Sequence, residues 1–248
     1  MTQTTYLSLT VAAIVIEAIF TPFFLHFQRP GINIKSFTCK MICATMFLSV
    51  GLLAFFYTGN TSEFAKFMLI GLGSSWFGDL FLHLKQGSKV SFGIGFVFFA
   101  AAHVLYLIAY SKATKLYFPE RNFLSIPEIL IVVGIIVFFF FLFKGKAVMI
   151  NFANPVIAVF VVYGLILTAM FIKAVVFGAQ FIMAGNPVFG GLSLAIGGTL
   201  FFTSDMTLVV IMSSERWKKS YRLKDYNIGS YFIGQTLLAL SVLFVGLT

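Results

Sequence analysis

The chain has 248 residues, 60% of them hydrophobic and only 10% charged, with a net charge of +9 and a mean hydropathy of +1.00. Soluble domains average about 25% charged residues, so this composition excludes a water-soluble enzyme and indicates an integral membrane protein. It also makes nucleic acid a poor explanation for the basic balance, because the lysines and arginines sit in short segments beside apolar stretches, where anionic lipid headgroups attract them.

Crossing the hydrocarbon core takes about 20 apolar residues per helix, and eight such stretches follow in order: 6–26, 37–57, 64–84, 90–110, 124–143, 152–177, 187–212 and 226–246. They are continuously apolar, not alternating, which predicts helices and not barrel strands. The first lacks a basic leader and a clear cleavage site, so it is expected to stay as a helix. The expected fold is therefore all-α, a single eight-helix transmembrane domain over residues 1–248. Odd-numbered loops hold Arg29, Lys35, Lys40, Lys85, Lys89, Lys144, Lys146, Arg216, Lys218, Lys219, Arg222 and Lys224, while the other side holds Lys66, Lys112, Lys115, Arg121 and Lys173. The positive-inside rule then places the odd loops in the cytoplasm and both termini outside.

Polar residues inside these stretches are the candidates for function. The first span carries Glu17, facing either a cavity or a neighbouring backbone. The second begins with Cys39, Lys40 and Cys43; the i,i+4 cysteines match neither a redox pair nor a zinc ribbon and read as packing thiols. The third holds Asp79 in the run LIGLGSSWFGDLFLHL, and the seventh holds Asp205 in LAIGGTLFFTSDMTLVVIM. A carboxylate at the bilayer centre costs about 2.5–3.5 kcal/mol on insertion scales, so two of them signal a site. The fourth span carries His103 and Tyr106, the sixth Tyr163, and the eighth Tyr231 and Gln235 on one helical face. In the fifth, Phe138 to Phe141 suit lipid contact or an acyl-chain tunnel. Gly71, Gly73, Gly197 and Gly198 are expected to permit close helix contact.

The two aspartates are 126 positions apart, each preceded at the same interval by Ile-Gly (Ile70-Gly71, Ile196-Gly197) and followed at +3 by leucine (Leu82, Leu208). This predicts a four-plus-four internal repeat, its halves parallel about an axis along the membrane normal. With both acids in the cytoplasmic half of their spans, one polar cluster is expected to open toward the cytoplasmic leaflet.

At these residues the sequence resembles the YhhN-type lysoplasmalogenases. The resemblance is carried by Gly78-Asp79 in the third span, by Phe99, His103 and Tyr106 in the fourth, by Phe202, Ser204 and Asp205 in the seventh, and by Tyr231 and Gln235 in the eighth. Tyr163 and Met170 keep the family's sixth-span spacing, whereas Lys40 is followed by Met41 where the family usually has proline. The resemblance implies hydrolysis of the vinyl ether bond of lysoplasmalogens, with Asp79 and Asp205 catalytic. A lysophospholipid, water and membrane lipids are the expected partners; no cofactor, metal, nucleic acid or protein partner is expected. A multi-pass protein of the inner membrane is implied if the host is bacterial.

The residues suit that chemistry independently. Vinyl ethers cleave when a proton reaches the β-carbon and water captures the resulting oxocarbenium ion. A buried carboxyl pair can divide into acid and base. Such a pair titrates as a unit; the provisional assignment is Asp79 as acid and Asp205 as base. Ser204, Tyr231 and Gln235 are expected to hold water or the second acid, Lys40 to meet the lipid phosphate, and His103, Tyr106 and Tyr163 to line the deeper cavity. Other readings stay open: the acids as helix-packing polar groups or an ion pair with Lys40, a proton- or ion-coupled transporter, and a metal-dependent lipid amidase using Asp79 and His83, at i,i+4, with His103. Against that last reading, His26 and His83 are placed at helix ends, apart from His103.

Overall fold

The computed structural model describes residues 2–59, 61–84, 88–144, 155–213 and 215–246, and among them every regular element is a helix. In chain order these are α1 (Gln3–Gln28), α2 (Ile34–Thr58), α3 (Glu63–Leu84), α4 (Lys89–Tyr117), α5 (Ile126–Lys144), α6 (Pro155–Met183), α7 (Val188–Ser213), the short α8 (Glu215–Lys218) and α9 (Tyr221–Ser241). Side-chain oxygens of Thr2, Asn33, Ser88 and Ser220 take up the unpaired first-turn N–H groups of α1, α2, α4 and α9. At α2 the bond is reciprocal, since Ser36 Oγ also accepts from the Asn33 backbone at 2.9 Å.

Six helices, α1, α2, α3, α4, α6 and α7, are long and apolar enough to cross a membrane, which makes the chain a multi-pass integral membrane protein. Two of the eight expected spans do not reach that measure. The described apolar part of α5, Ile126–Phe138, is shorter, and the loop expected to follow it, with Lys146, lies outside the described residues, as does most of the loop around Lys85. In α9 the cause is polarity: Arg222, Lys224, Asp225 and Asn227 fill its first two turns, a stretch that hydropathy largely assigns to a loop.

Helices also run on past their apolar runs, because the backbone of a helix satisfies its own hydrogen bonds whatever the side chains. The fourth continues to Tyr117 with Lys112 and Lys115 on it, and the sixth continues to Met183 through a segment expected to be a loop. The turn comes later, at Gly185, whose φ of +81° favours glycine. Lys173 is therefore not a loop charge. It lies buried in α6, its Nζ 3.3 Å from Glu128 Oε1 of α5; pairing is what makes a charge at that depth tolerable.

Many outward-facing side chains are apolar: Val11, Phe56, Val97 and Phe138 are each more than half exposed. Lys40, Asp79, His103 and Gln235 are buried. Phe138 and Phe141 face outward, which fits lipid contact and not an internal tunnel. Cys39 and Cys43 are buried free thiols.

The most extensive packing joins α3 to α4, α7 to α9, α1 to α2 and α6 to α7, with α2 also touching α3 and α9, and α4 touching α6. Lipid tails are as apolar as leucine, so small residues at contacts decide how closely membrane helices approach. A Cβ on Gly71 would lie 2.4 Å from the Tyr106 ring, and one on Gly197 would lie 3.0 Å from the Gly234 carbonyl. A Cβ on Gly198 would meet the Ala174 methyl at 2.5 Å. Gly73 differs from expectation, with nothing within 4 Å of the place a Cβ would take. Gly71→Leu is thus expected to displace Tyr106 and cost about 1–3 kcal/mol in a thermal melt in detergent. Gly73→Leu should stay within about 0.5 kcal/mol of the parent.

Candidate active site

Asp79 sits one turn before the end of α3, and Ser75 is one turn earlier on the same face. Both reach α9, where Tyr231 and Gln235 have the same spacing. The Tyr231 hydroxyl donates to Asp79 Oδ2 at 2.6 Å, and Gln235 Nε2 donates to Ser75 Oγ at 2.9 Å. Because the order along one helix is reversed along the other, α3 and α9 run antiparallel here. The second oxygen of Asp79 is also taken: Lys40 Nζ, from the first turns of α2, lies 2.9 Å from Oδ1. The same ammonium lies 3.0 Å from His83 Nδ1.

Asp205, on α7, is held from the other side. His103 Nε2 of α4 is 3.2 Å from Asp205 Oδ2 and 3.1 Å from the Tyr163 hydroxyl of α6. The Tyr163 hydroxyl donates to that same Oδ2. Oδ1 of Asp205 has no partner among the described residues. Each oxygen of Asp79 is thus engaged, one by a cation and one by a phenol, whereas among the described residues only one oxygen of Asp205 is.

Both acids line one cavity of about 100 Å³. Tyr163, Ser204, Asn227, Tyr231 and Lys40 complete its polar wall, and Phe24, Phe92, Phe96, Phe99, Leu208 and Met212 give much of the apolar remainder. It lies toward the end of the bundle where α1, α3 and α7 finish and α2, α4 and α9 begin. Glycine makes room for it: a Cβ on Gly78 would meet the Phe99 ring at 2.7 Å.

Several expected site residues take other places. Tyr106 and His103 are fully buried behind the cavity and do not line it; Tyr106 donates to Gln235 Oε1 at 2.9 Å. Gln235 therefore belongs to a deeper network and holds neither acid. Ser204 lines the cavity, but its hydroxyl donates to the Asn227 carbonyl at 2.8 Å and accepts from Asn227 Nδ2 at 2.9 Å, clamping α7 to α9. Ser204→Ala is accordingly expected to keep kcat within about threefold while costing about 1 kcal/mol in a melting experiment. Lys40 is not a spare cation for phosphate, since its ammonium already serves Asp79 and His83. Glu17 turns to neither cavity nor backbone: its two carboxyl oxygens lie 2.9 and 2.8 Å from the Thr236 hydroxyl.

Sequence reasoning missed His83 as a neighbour of Lys40 and Asn227 as the Ser204 partner. The i,i+4 spacing of Asp79 and His83 was the available signal, and it also suggested metal ligation. In the structure an ammonium lies between those two side chains. Among the described residues no three His, Cys, Asp or Glu side chains converge.

A multi-pass helical membrane protein with two buried aspartates on one apolar cavity is the class these features define. The YhhN family model matches residues 40–242, and the chain belongs to that family. Neither a curated protein nor a solved structure matches it.

Proposed function

We propose that the protein is an intramembrane lipid hydrolase that cleaves the vinyl ether bond of lysoplasmalogens, releasing a fatty aldehyde and a glycerophospho-ethanolamine or -choline. Membership of the YhhN family is consistent with a hydrolase of this type. The observation that carries the proposal is the unequal pair of acids on one apolar cavity.

Asp205, with an unoccupied oxygen, acts as the acid, the reverse of the provisional assignment. It gives its proton to the vinyl carbon remote from the ether oxygen, leaving an oxocarbenium ion. Asp79, paired with the Lys40 ammonium and hydrogen-bonded by Tyr231, acts as the carboxylate that steadies that cation, as glycosidase carboxylates do. Water adds to the cation while Asp205 takes back a proton, and the hemiacetal collapses to aldehyde and glycerol hydroxyl. Tyr163 and His103 hold Asp205 through its other oxygen. A cavity of about 100 Å³ accommodates the vinyl ether and its first carbons, with the rest of the lipid lying between helices. The phosphate meets basic side chains at the same end of the bundle, such as Lys224, since Lys40 is engaged.

The same proposal takes the bundle as eight spans in two parallel halves, with the site toward the cytoplasmic leaflet. Supporting it, each acid is held by the second helix of its own half (Lys40 for Asp79, Tyr163 for Asp205) and by the last helix of the other half (Tyr231 for Asp79, His103 for Asp205). The cross-contacts of α2 with α9 and of α4 with α6 repeat the symmetry. The purified protein in lipid vesicles is expected to release aldehyde from lysoplasmalogen, with or without a chelator. Loss on chelation would indicate a metalloenzyme. No aldehyde at all would leave the proton- or ion-coupled transporter, for which buried acids in repeated halves are also a mark.

A further inference from the structure

We propose that His83 is a positioning residue, which pins the Lys40 ammonium against Asp79 and so keeps the Asp79 carboxylate charge-balanced and aimed at the cavity. Its effect on turnover rests on the hydrolase proposal; the anchoring itself does not.

His83 lies in the last turn of α3, four residues after Asp79 and on the same face. Lys40 Nζ bridges them, 2.9 Å from Asp79 Oδ1 and 3.0 Å from His83 Nδ1. An ammonium has donors only. Nδ1 therefore accepts, and the ring proton of the neutral imidazole sits on Nε2. That Nε2 is buried without a hydrogen-bond partner among the described residues. A buried N–H left unpaired is costly, so the ring is placed for what Nδ1 does. The Phe24 ring, edge-on with its centroid 5.6 Å away, packs against it.

The need for such an anchor follows from lysine itself. Its four-carbon stem carries a point charge with large rotamer freedom. With Asp79 alone as partner, the ammonium could move to the other carboxyl oxygen and displace the Tyr231 hydroxyl, or turn toward the cavity. A second acceptor one helical turn away leaves a single place that satisfies both contacts. His83 does not line the cavity, so it acts through Lys40 and not on the substrate.

The test compares the purified parent protein with His83→Phe, which keeps a ring but no acceptor, and His83→Gln, whose Oε1 can accept from Lys40. The first readout needs no turnover: labelling of Lys40 by a membrane-permeant amine-reactive ester, quantified by mass spectrometry. Lys40 is expected to label about fivefold faster in His83→Phe and within about twofold of the parent in His83→Gln. The second readout is aldehyde release, where His83→Phe should lower kcat about tenfold at a KM within about twofold, and His83→Gln should recover most of the loss. Equal labelling in all three proteins, or a His83→Gln variant as impaired as His83→Phe, overturns the proposal. Changed labelling with undiminished kcat overturns the positioning role. The expected labelling in a parent protein that releases no aldehyde upholds the anchor and defeats the hydrolase proposal alone.

Discussion

Asp205→Asn is expected to lower kcat for aldehyde release by about 10³-fold with little change in KM, because proton transfer by a positioned acid contributes about 10²–10⁴ in rate. Asparagine has nearly the shape of aspartate and can still accept from Tyr163 and His103, so the fold should survive. What it cannot do is hand a proton to carbon and take one back. Asp79→Asn should cost less, about 10²-fold, the lower end of what loss of one preorganised electrostatic contact to a developing charge does. The inequality matters: equal losses would argue against dividing the roles by which carboxyl oxygen is unoccupied. Steady-state kinetics on the two purified variants, with a far-ultraviolet dichroism melt as a folding check, makes the comparison.

The second large effect concerns stability. Lys40 and Asp79 are both buried, with their charged atoms 2.9 Å apart. Removing one member of such a pair leaves the other's charge uncompensated and costs about 3–5 kcal/mol. Lys40→Met is therefore expected to destabilise the protein by that amount in a thermal melt in lipid nanodiscs. Lys40→Met combined with Asp79→Asn should be more stable than Lys40→Met alone, since no charge is then left unpaired. Additive losses would mean that the two residues do not interact. The double variant should be inactive, which separates stability from chemistry.

Much of this arrangement was legible in the chain before its structure, and the reasons differ by level. Long apolar stretches mark hydrocarbon burial directly, so the helical class and most of the helix order followed from hydropathy. Helix ends did not, because Lys112 and Lys115 on α4, or Arg222 and Lys224 on α9, are polar yet helical. The acids stood out because a carboxyl in an apolar run needs a reason, and Asp79 and Asp205 do line one cavity. Pairwise geometry lay beyond reach. Whether Lys40 would meet a phosphate or Asp79 depends on the rotation of α2 against α3, and period alone does not set that angle. Ser204 illustrates the same limit: its position beside Asp205 suggested that it holds the acid, but consecutive residues on a helix point in different directions, and its hydroxyl faces Asn227 instead.

The most direct measurement is the deuterium content of the aldehyde made from lysoplasmalogen in heavy water, trapped at once as a hydrazone and read by mass spectrometry. Protonation at the vinyl carbon places one solvent-derived deuterium on the aldehyde's second carbon, and Asp205→Asn forms that labelled product about 10³-fold more slowly. An aldehyde without that deuterium, or a parent protein that produces none, would contradict acid cleavage of the vinyl ether by this pair of aspartates.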